Sequence, residues 1–191
     1  MISIVIPTRG NEAETVATLA ALVPGSAAGM VRDVVLVDRG GGNGDIARVA
    51  DVAGCRFLAF DGSRADAIAA GVKLTRGSWL MFLHAGAVLE SGWIDETAQF
   101  IESVSIGGRR RAGVFRYARS PYAEGGIASA MRQIARAVIG TSADQGLLIA
   151  RDHYDRLGGY APGARSAESK LLSKIGRSGR ARLRTRIFVT A

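Results

Sequence analysis

Short apolar runs alternate, through the first half of the chain, with longer stretches whose apolar residues recur every three or four positions. The runs are Ile2 to Ile6, Val34 to Val37, Arg56 to Phe60 and Trp79 to Leu83. A short continuous run closed by turn residues predicts a strand buried on both faces. Pro7 is expected to stop the first. The helical spacing begins at Asn11 or Glu12, continues through Val16, Leu19, Ala20 and Leu22, and is expected to end at Pro24-Gly25-Ser26. Further helices are predicted from Asp45 to about Ala53, from Ser63 to Thr75 with Ile68, Val72 and Leu74 facing in, and from Trp93 to Ser103. Strands alternating with helices imply parallel βαβ units, an α/β chain with an open, mostly parallel, doubly wound sheet.

The pattern changes after Gly107. Arg109-Arg110-Arg111 precedes a strand at Ala112 to Tyr117, and Tyr122 to Gly140 reads as an amphipathic helix with Arg132 and Arg136 on its polar face. Gly146 to Ala150 and Leu183 to Val189 read as strands, Asp152 to Leu157 and Ser166 to Ile175 as helices. No internal repeat or linker divides the 191 residues, a length that suits one domain.

In an open α/β sheet, ligands bind just beyond the carboxyl ends of the strands. His84 to Ala87, directly after the fourth run, occupy such a position. Composition narrows the partner. At 48% hydrophobic and 22% charged the chain can build a core, so wholesale disorder is excluded. The net charge is +8, and only Lys73, Lys170 and Lys174 are lysines. Arginine forks suit phosphate and carboxylate. Such a balance fits phosphate-bearing ligands, an anionic lipid surface or nucleic acid, or else simply an arginine-rich genome. Nucleic acid is disfavoured, because no recognised motif and little aromatic interleaving accompany the arginines.

Cys55 is the single cysteine, which excludes an internal disulfide and a cysteine-cluster metal site. Met1 to Pro7 lacks the basic n-region of a signal peptide, and no apolar run approaches the roughly 18–20 residues that span a bilayer. A cytoplasmic protein is expected, with peripheral contact at the inner membrane face left open. The glycines from Gly40 to Gly44 follow the second strand rather than the first and lack the spacing of a dinucleotide fingerprint, so they read as a turn.

Seven stretches together resemble a family-2 glycosyltransferase with the GT-A (Rossmann-like) fold, close to its short bacterial members. They are Ile6-Pro7-Thr8-Arg9-Gly10-Asn11-Glu12, Leu36-Val37-Asp38-Arg39-Gly40-Gly41, Ser63-Arg64-Ala65-Asp66-Ala67-Ile68-Ala69-Ala70-Gly71, Phe82-Leu83-His84-Ala85-Gly86-Ala87, Ala143-Asp144-Gln145-Gly146, Gly158-Gly159-Tyr160 and Ala167-Glu168. The resemblance spans nearly the whole chain in order. It implies a nucleotide-binding half (1–106), an acceptor-side half (107–191) and a nucleotide-sugar donor. The donor positions it implies are Pro7, Thr8, Glu12, Asp38, Arg64, His84 and Gly86. Asp144 and Gln145 fall on the acceptor side, and Glu168 matches the general base of inverting enzymes. The acceptor, whether lipid-linked, saccharide or small molecule, is not implied, and a homodimer is left open.

Each position has a plainer reading. Asp38 caps a helix, Arg64 is a surface arginine, Glu168 faces a helix dipole, and His84 is a hydrogen-bonded structural residue rather than a metal ligand. The family's D-x-D-like motif gives a carboxylate to a divalent cation. Gly86 stands where that aspartate belongs, Asn43 replaces an acidic residue, and Ala67 and Ala69 replace Gln and Asn. The losses cluster on the donor side. The expectation is a glycosyltransferase without a protein-bound metal and without strong need of Mg²⁺ or Mn²⁺, with Arg64 or Arg109 to Arg111 offsetting diphosphate charge. The alternatives are an inactive GT-A pseudo-enzyme serving as a scaffold, and a basic membrane-surface module.

Overall fold

The computed structural model describes residues 1–40, 44–119, 146–163 and 167–189. The first half runs β1 (Ile2–Thr8), α1 (Glu12–Ala27), β2 (Val31–Asp38), α2 (Asp45–Val52), β3 (Arg56–Ala59), α3 (Arg64–Lys73) and β4 (Trp79–Phe82). Then follow β5 (Ala87–Leu89), α4 (Trp93–Gly107), β6 (Ala112–Arg119), β7 (Leu147–Ala150), α5 (Arg151–Arg156), α6 (Ala167–Ile175) and β8 (Arg180–Val189). The expected helix over 122–140, together with Asn43, Asp144 and Gln145, lies outside the described residues.

The eight strands of the described residues form one sheet in the order β3-β2-β1-β4-β7-β6-β8-β5. It is parallel from β3 to β4, as the alternating pattern demands. Beyond β4 the sheet is mixed: β7 runs antiparallel to both β4 and β6, β8 parallel to β6, and β5 antiparallel to β8. The two halves of the sequence therefore interlock, since β5 leaves the first half to pair at the far edge of the second.

Strand alternation sends side chains to two helical layers. Ile2, Ile4 and Ile6 of β1 join Leu22 of α1, Ile46 of α2 and Trp93 and Phe100 of α4 in one core. Val5 joins Ile68 and Val72 of α3, Tyr154 of α5 and Leu171 of α6 in the other. Every residue of β4 is buried, as a central strand covered on both faces requires.

Three local expectations are corrected. Pro7 does not end β1, which continues to Thr8 opposite Asp38. β4 pairs only with Ile2 to Val5, so Pro7 lies past the point where a donor would be missed on that side. Pro24 sits inside α1, which runs on to Ala27; the Pro24 carbonyl still accepts from the Ala28 amide at 2.9 Å, so the last turn closes although proline has no N–H to give. A Cβ on Gly25 would stand 2.4 Å from the Trp93 indole. Val16 is exposed, and the buried face of α1 is Thr15, Thr18, Leu22 and Gly25. That face meets the backbone of the turn after β4, where Thr18 Oγ1 reaches the carbonyl of His84 at 3.4 Å. Small polar side chains fit there better than apolar ones.

Candidate functional site

The carboxyl ends of β1 and β2 lie side by side, with Thr8 opposite Asp38. Asp38 Oδ1 accepts from Thr8 Oγ1 at 2.9 Å, from the Gly10 amide at 3.1 Å and from the Gly40 amide at 3.3 Å. These bonds fold the two loops after β1 and β2 around one carboxylate. No hydrogen bond among the described residues reaches Asp38 Oδ2. Thr8 and Pro7 are buried, and the Thr8 hydroxyl is satisfied by Asp38, so Thr8 positions that carboxylate. Asp38 thus organises the loops rather than capping α2, whose N-cap is Gly44.

The third loop, before α3, completes the crevice. Ser63 caps α3 by accepting from the Asp66 amide, and Asp66 accepts in turn from the Gly163 amide at 3.2 Å. That contact ties the segment after α5 to the start of α3. Arg64, the first residue of α3, donates from Nε to Glu168 Oε1 at 2.6 Å across 104 positions of sequence. Glu168 lies in the first turn of α6. The structure therefore brings together Arg64 and Glu168, which the sequence places far apart.

Two further arginines stand here that the sequence reading passed over. Arg39 follows Asp38 and donates from Nε to the Gly62 carbonyl at 3.1 Å, while its own amide donates to the Thr8 carbonyl at 3.1 Å. Burial, then the neighbouring Arg9 and Arg64 guanidiniums, push the Arg39 pKa below the usual arginine value; Glu168 acts the other way. Arg9, Arg64 and Glu168 thus act electrostatically on Arg39, whose loop is folded around the Asp38 carboxylate. Arg9, with Glu12 exposed on the first turn of α1, also lines an open cleft of about 940 Å³. The available signal was positional: Arg9 and Arg39 each follow the last residue of two strands that the βαβ pattern makes neighbours.

His84 closes the turn after β4, its carbonyl accepting from the Ala87 amide at 3.1 Å. Gly86 is buried, has φ of 87° and donates its amide to the Glu14 carbonyl at 3.0 Å. Only glycine adopts that conformation without strain. The turn offers no side-chain carboxylate, and among the described residues no group of three or more His, Cys, Asp or Glu could hold a metal ion. Among the described residues, the turn after β4 supplies no carboxylate to a divalent cation.

Arg109 to Arg111 are not part of this crevice. They line a different cleft with Ser78 and Trp79 at the start of β4. Trp79 pairs with Ile2, and from Ile2 to Thr8 the strand climbs about 20 Å. These arginines sit at the opposite end of the sheet from Asp38, which corrects the expectation that they could offset donor charge.

The fold is similar to that of solved GT-A glycosyltransferases. Glucosyl-3-phosphoglycerate synthase from Mycobacterium tuberculosis, in complex with Mn²⁺, UDP and glucosyl-3-phosphoglycerate, superposes with a TM-score of 0.67 at 18% identity, covering 100% of this chain and 71% of its own. A mannosyltransferase from Pyrobaculum calidifontis, in complex with GDP-Man and Mn²⁺, gives 0.67 at 14% identity, covering 98% and 56%. TarS from S. aureus gives 0.72 at 12% identity, covering 99% and 60%. No protein-family model matches the sequence, and no curated protein does.

Proposed function

We propose that the protein is a glycosyltransferase that moves a sugar from a nucleoside-diphosphate donor to a hydroxyl of an acceptor, without a required divalent cation. The observation that carries this reading is the convergence of Arg9, Arg39 and Arg64 beside Asp38 at the carboxyl ends of β1 and β2. Asp38 Oδ2 accepts a hydrogen bond from the base or ribose of the donor. The guanidiniums offset the diphosphate charge, a part that a divalent cation can also play in such chemistry. Residues 1–106 form the donor side, with Pro7, Thr8, Glu12, His84 and Gly86 shaping it. Residues 107–191 form the acceptor side, with Asp144 and Gln145 on it.

In the reaction the acceptor oxygen attacks the anomeric carbon. The bond from that carbon to the diphosphate oxygen breaks, and the nucleoside diphosphate leaves with its electron pair. Glu168 takes the acceptor proton. Arg64 holds Glu168 in place and reaches the leaving diphosphate with the rest of its fork. No helix among the described residues is long and apolar enough to cross a membrane. A cytoplasmic setting, at the inner membrane face where the acceptor is lipid-linked, completes the reading.

A second reading, a GT-A domain that binds a nucleotide without turning it over, is favoured by one observation: with Gly86 in it, the turn after β4 carries no side-chain carboxylate. Calorimetric titration with UDP, GDP and their sugar conjugates, in EDTA and in Mn²⁺, tests both. Binding in EDTA, little changed by Mn²⁺, is the expected result. Binding that appears only with Mn²⁺ would sink metal independence, and no binding at all would sink the donor site. Binding without donor hydrolysis or transfer would select the second reading.

A further inference from the structure

We propose that the cleft at the amino end of β4 is a second anion site, taking a small soluble molecule that carries a phosphate group. The cleft measures about 630 Å³, within the range of small-molecule sites. It lies between the end of α4, the Arg109 to Arg111 segment, the start of β4 and α5. Its walls carry four arginines, Arg109, Arg110, Arg111 and Arg151, against two carboxylates, Asp152 and Asp155.

The arginines divide into fixed and available. Arg151 is built into the wall: Nε donates to the Gly77 carbonyl at 2.7 Å, and a terminal nitrogen donates to Thr75 Oγ1 at 2.6 Å. Asp152 is already shared by Arg110 at 3.9 Å and Arg156 at 3.6 Å. Arg109 and Arg111 have no salt bridge among the described residues. Trp79, only 7% exposed, gives the cleft an apolar floor. His153, which also lines the cleft, is 8% exposed, and its Nδ1 has no hydrogen-bond partner among the described residues. A concave, tryptophan-floored cleft holds a discrete anion better than it meets a flat bilayer. Guanidinium forks crowded on one wall are best matched by a multiply charged oxyanion such as a phosphomonoester or pyrophosphate.

This site is independent of the donor crevice, about 20 Å away along β1, and the test keeps the two apart. The chain has two tryptophans, and Trp93 is buried against α1. In a Trp93→Phe variant, Trp79 fluorescence reports the cleft alone. Titration with inorganic pyrophosphate and with inorganic phosphate should give a saturable change. In the same background, the exposed triple substitution Arg109→Ser, Arg110→Ser, Arg111→Ser should weaken it about tenfold or more. Should Trp93→Phe fail to fold, calorimetry on the otherwise unaltered chain replaces it. The triple substitution must then remove one pyrophosphate isotherm, and Arg39→Gln a different one. A titration unchanged by the triple substitution, or no saturable response to either anion, overturns the proposal. So does co-sedimentation with phosphatidylglycerol–phosphatidylcholine vesicles that the triple substitution abolishes while pyrophosphate has no effect; that result would assign the arginines to a membrane.

Discussion

Asp38 and Glu168 each use one oxygen for structure, and the consequences differ. Asp38 Oδ1 receives three donors, so Asp38→Asn can keep its amide oxygen there and preserve both loops. The amide nitrogen then replaces Oδ2 and turns an acceptor into a donor. Losing a hydrogen bond to a charged acceptor costs about 1.5–3 kcal/mol. UDP affinity should fall roughly tenfold to a hundredfold with Tm nearly unchanged; equal affinity by calorimetry would remove Asp38 as a donor ligand. Glu168→Gln likewise keeps an oxygen for Arg64 Nε but cannot take a proton at neutral pH. Transfer should drop by about two orders of magnitude or more while UDP binding stays within about threefold. Turnover retained in a coupled assay would place the base elsewhere.

At the scale of elements, α4 is fastened to β8 by one carboxylate. Glu96 accepts from the Arg184 amide at 2.5 Å, the Thr185 amide at 2.7 Å and the Thr185 hydroxyl at 2.5 Å. Burial alone would raise its pKa. The Thr185 hydroxyl, the two amides and the Arg184 charge outweigh burial and hold the carboxyl below the usual glutamate range. A carboxyl whose pKa falls on folding stabilises fully above its unfolded value and loses that contribution as pH drops through the folded one. Glu96→Gln should therefore cost about 1–2 kcal/mol at pH 7, roughly 2–8 °C in Tm, and the gap to the parent should narrow progressively as pH falls below the unfolded glutamate value of about 4.3. A gap that does not narrow with acid would mean that packing, not charge, fastens α4. This fastening was not legible in the sequence, because Glu96 and β8 are separated by most of the second half. The strands of the parallel half were legible as short apolar runs, but only β1 and β4 are buried along their whole length; β3, at the sheet edge, has no buried residue, which corrects the expectation that its run is covered on both faces. β5 was missed: a strand of three residues, Ala87–Leu89, is too short to show a period and looks like the end of a turn. Pro7 and Pro24 misled because a proline's cost depends on what needs the N–H it lacks: β4 ends its pairing with β1 at Val5, and α1 closes its last turn through the Pro24 carbonyl.

Across the whole molecule, function and stability pull apart at the crevice. The cores supply the fold: apolar layers on both sides of one sheet, neither needing the arginines. Arg9, Arg39 and Arg64 lie at the mouth with Glu168 as the one carboxylate acting on Arg39, and their mutual repulsion, added to burial, is what lowers the Arg39 pKa. A base whose charged form is disfavoured on folding, yet stays protonated at pH 7, works against the folded state. On the proposed reading, a bound diphosphate would relieve that repulsion. Arg39→Gln keeps a side-chain donor in reach of the Gly62 carbonyl and removes the charge. Without ligand, its Tm at low salt should equal or exceed the parent's, within about 2–4 °C. Its UDP affinity in EDTA should fall about tenfold or more, and added UDP should raise its Tm less than the parent's. Since surface charge is screened by salt, any stability gain should shrink as ionic strength rises from about 0.01 M, where the screening length is about 30 Å, to about 1 M, where it is about 3 Å. Thermal scans across that series, with and without UDP, read both effects at once. A variant that melts lower without ligand and binds UDP as the parent does would make Arg39 a structural residue and leave the diphosphate without its central cation.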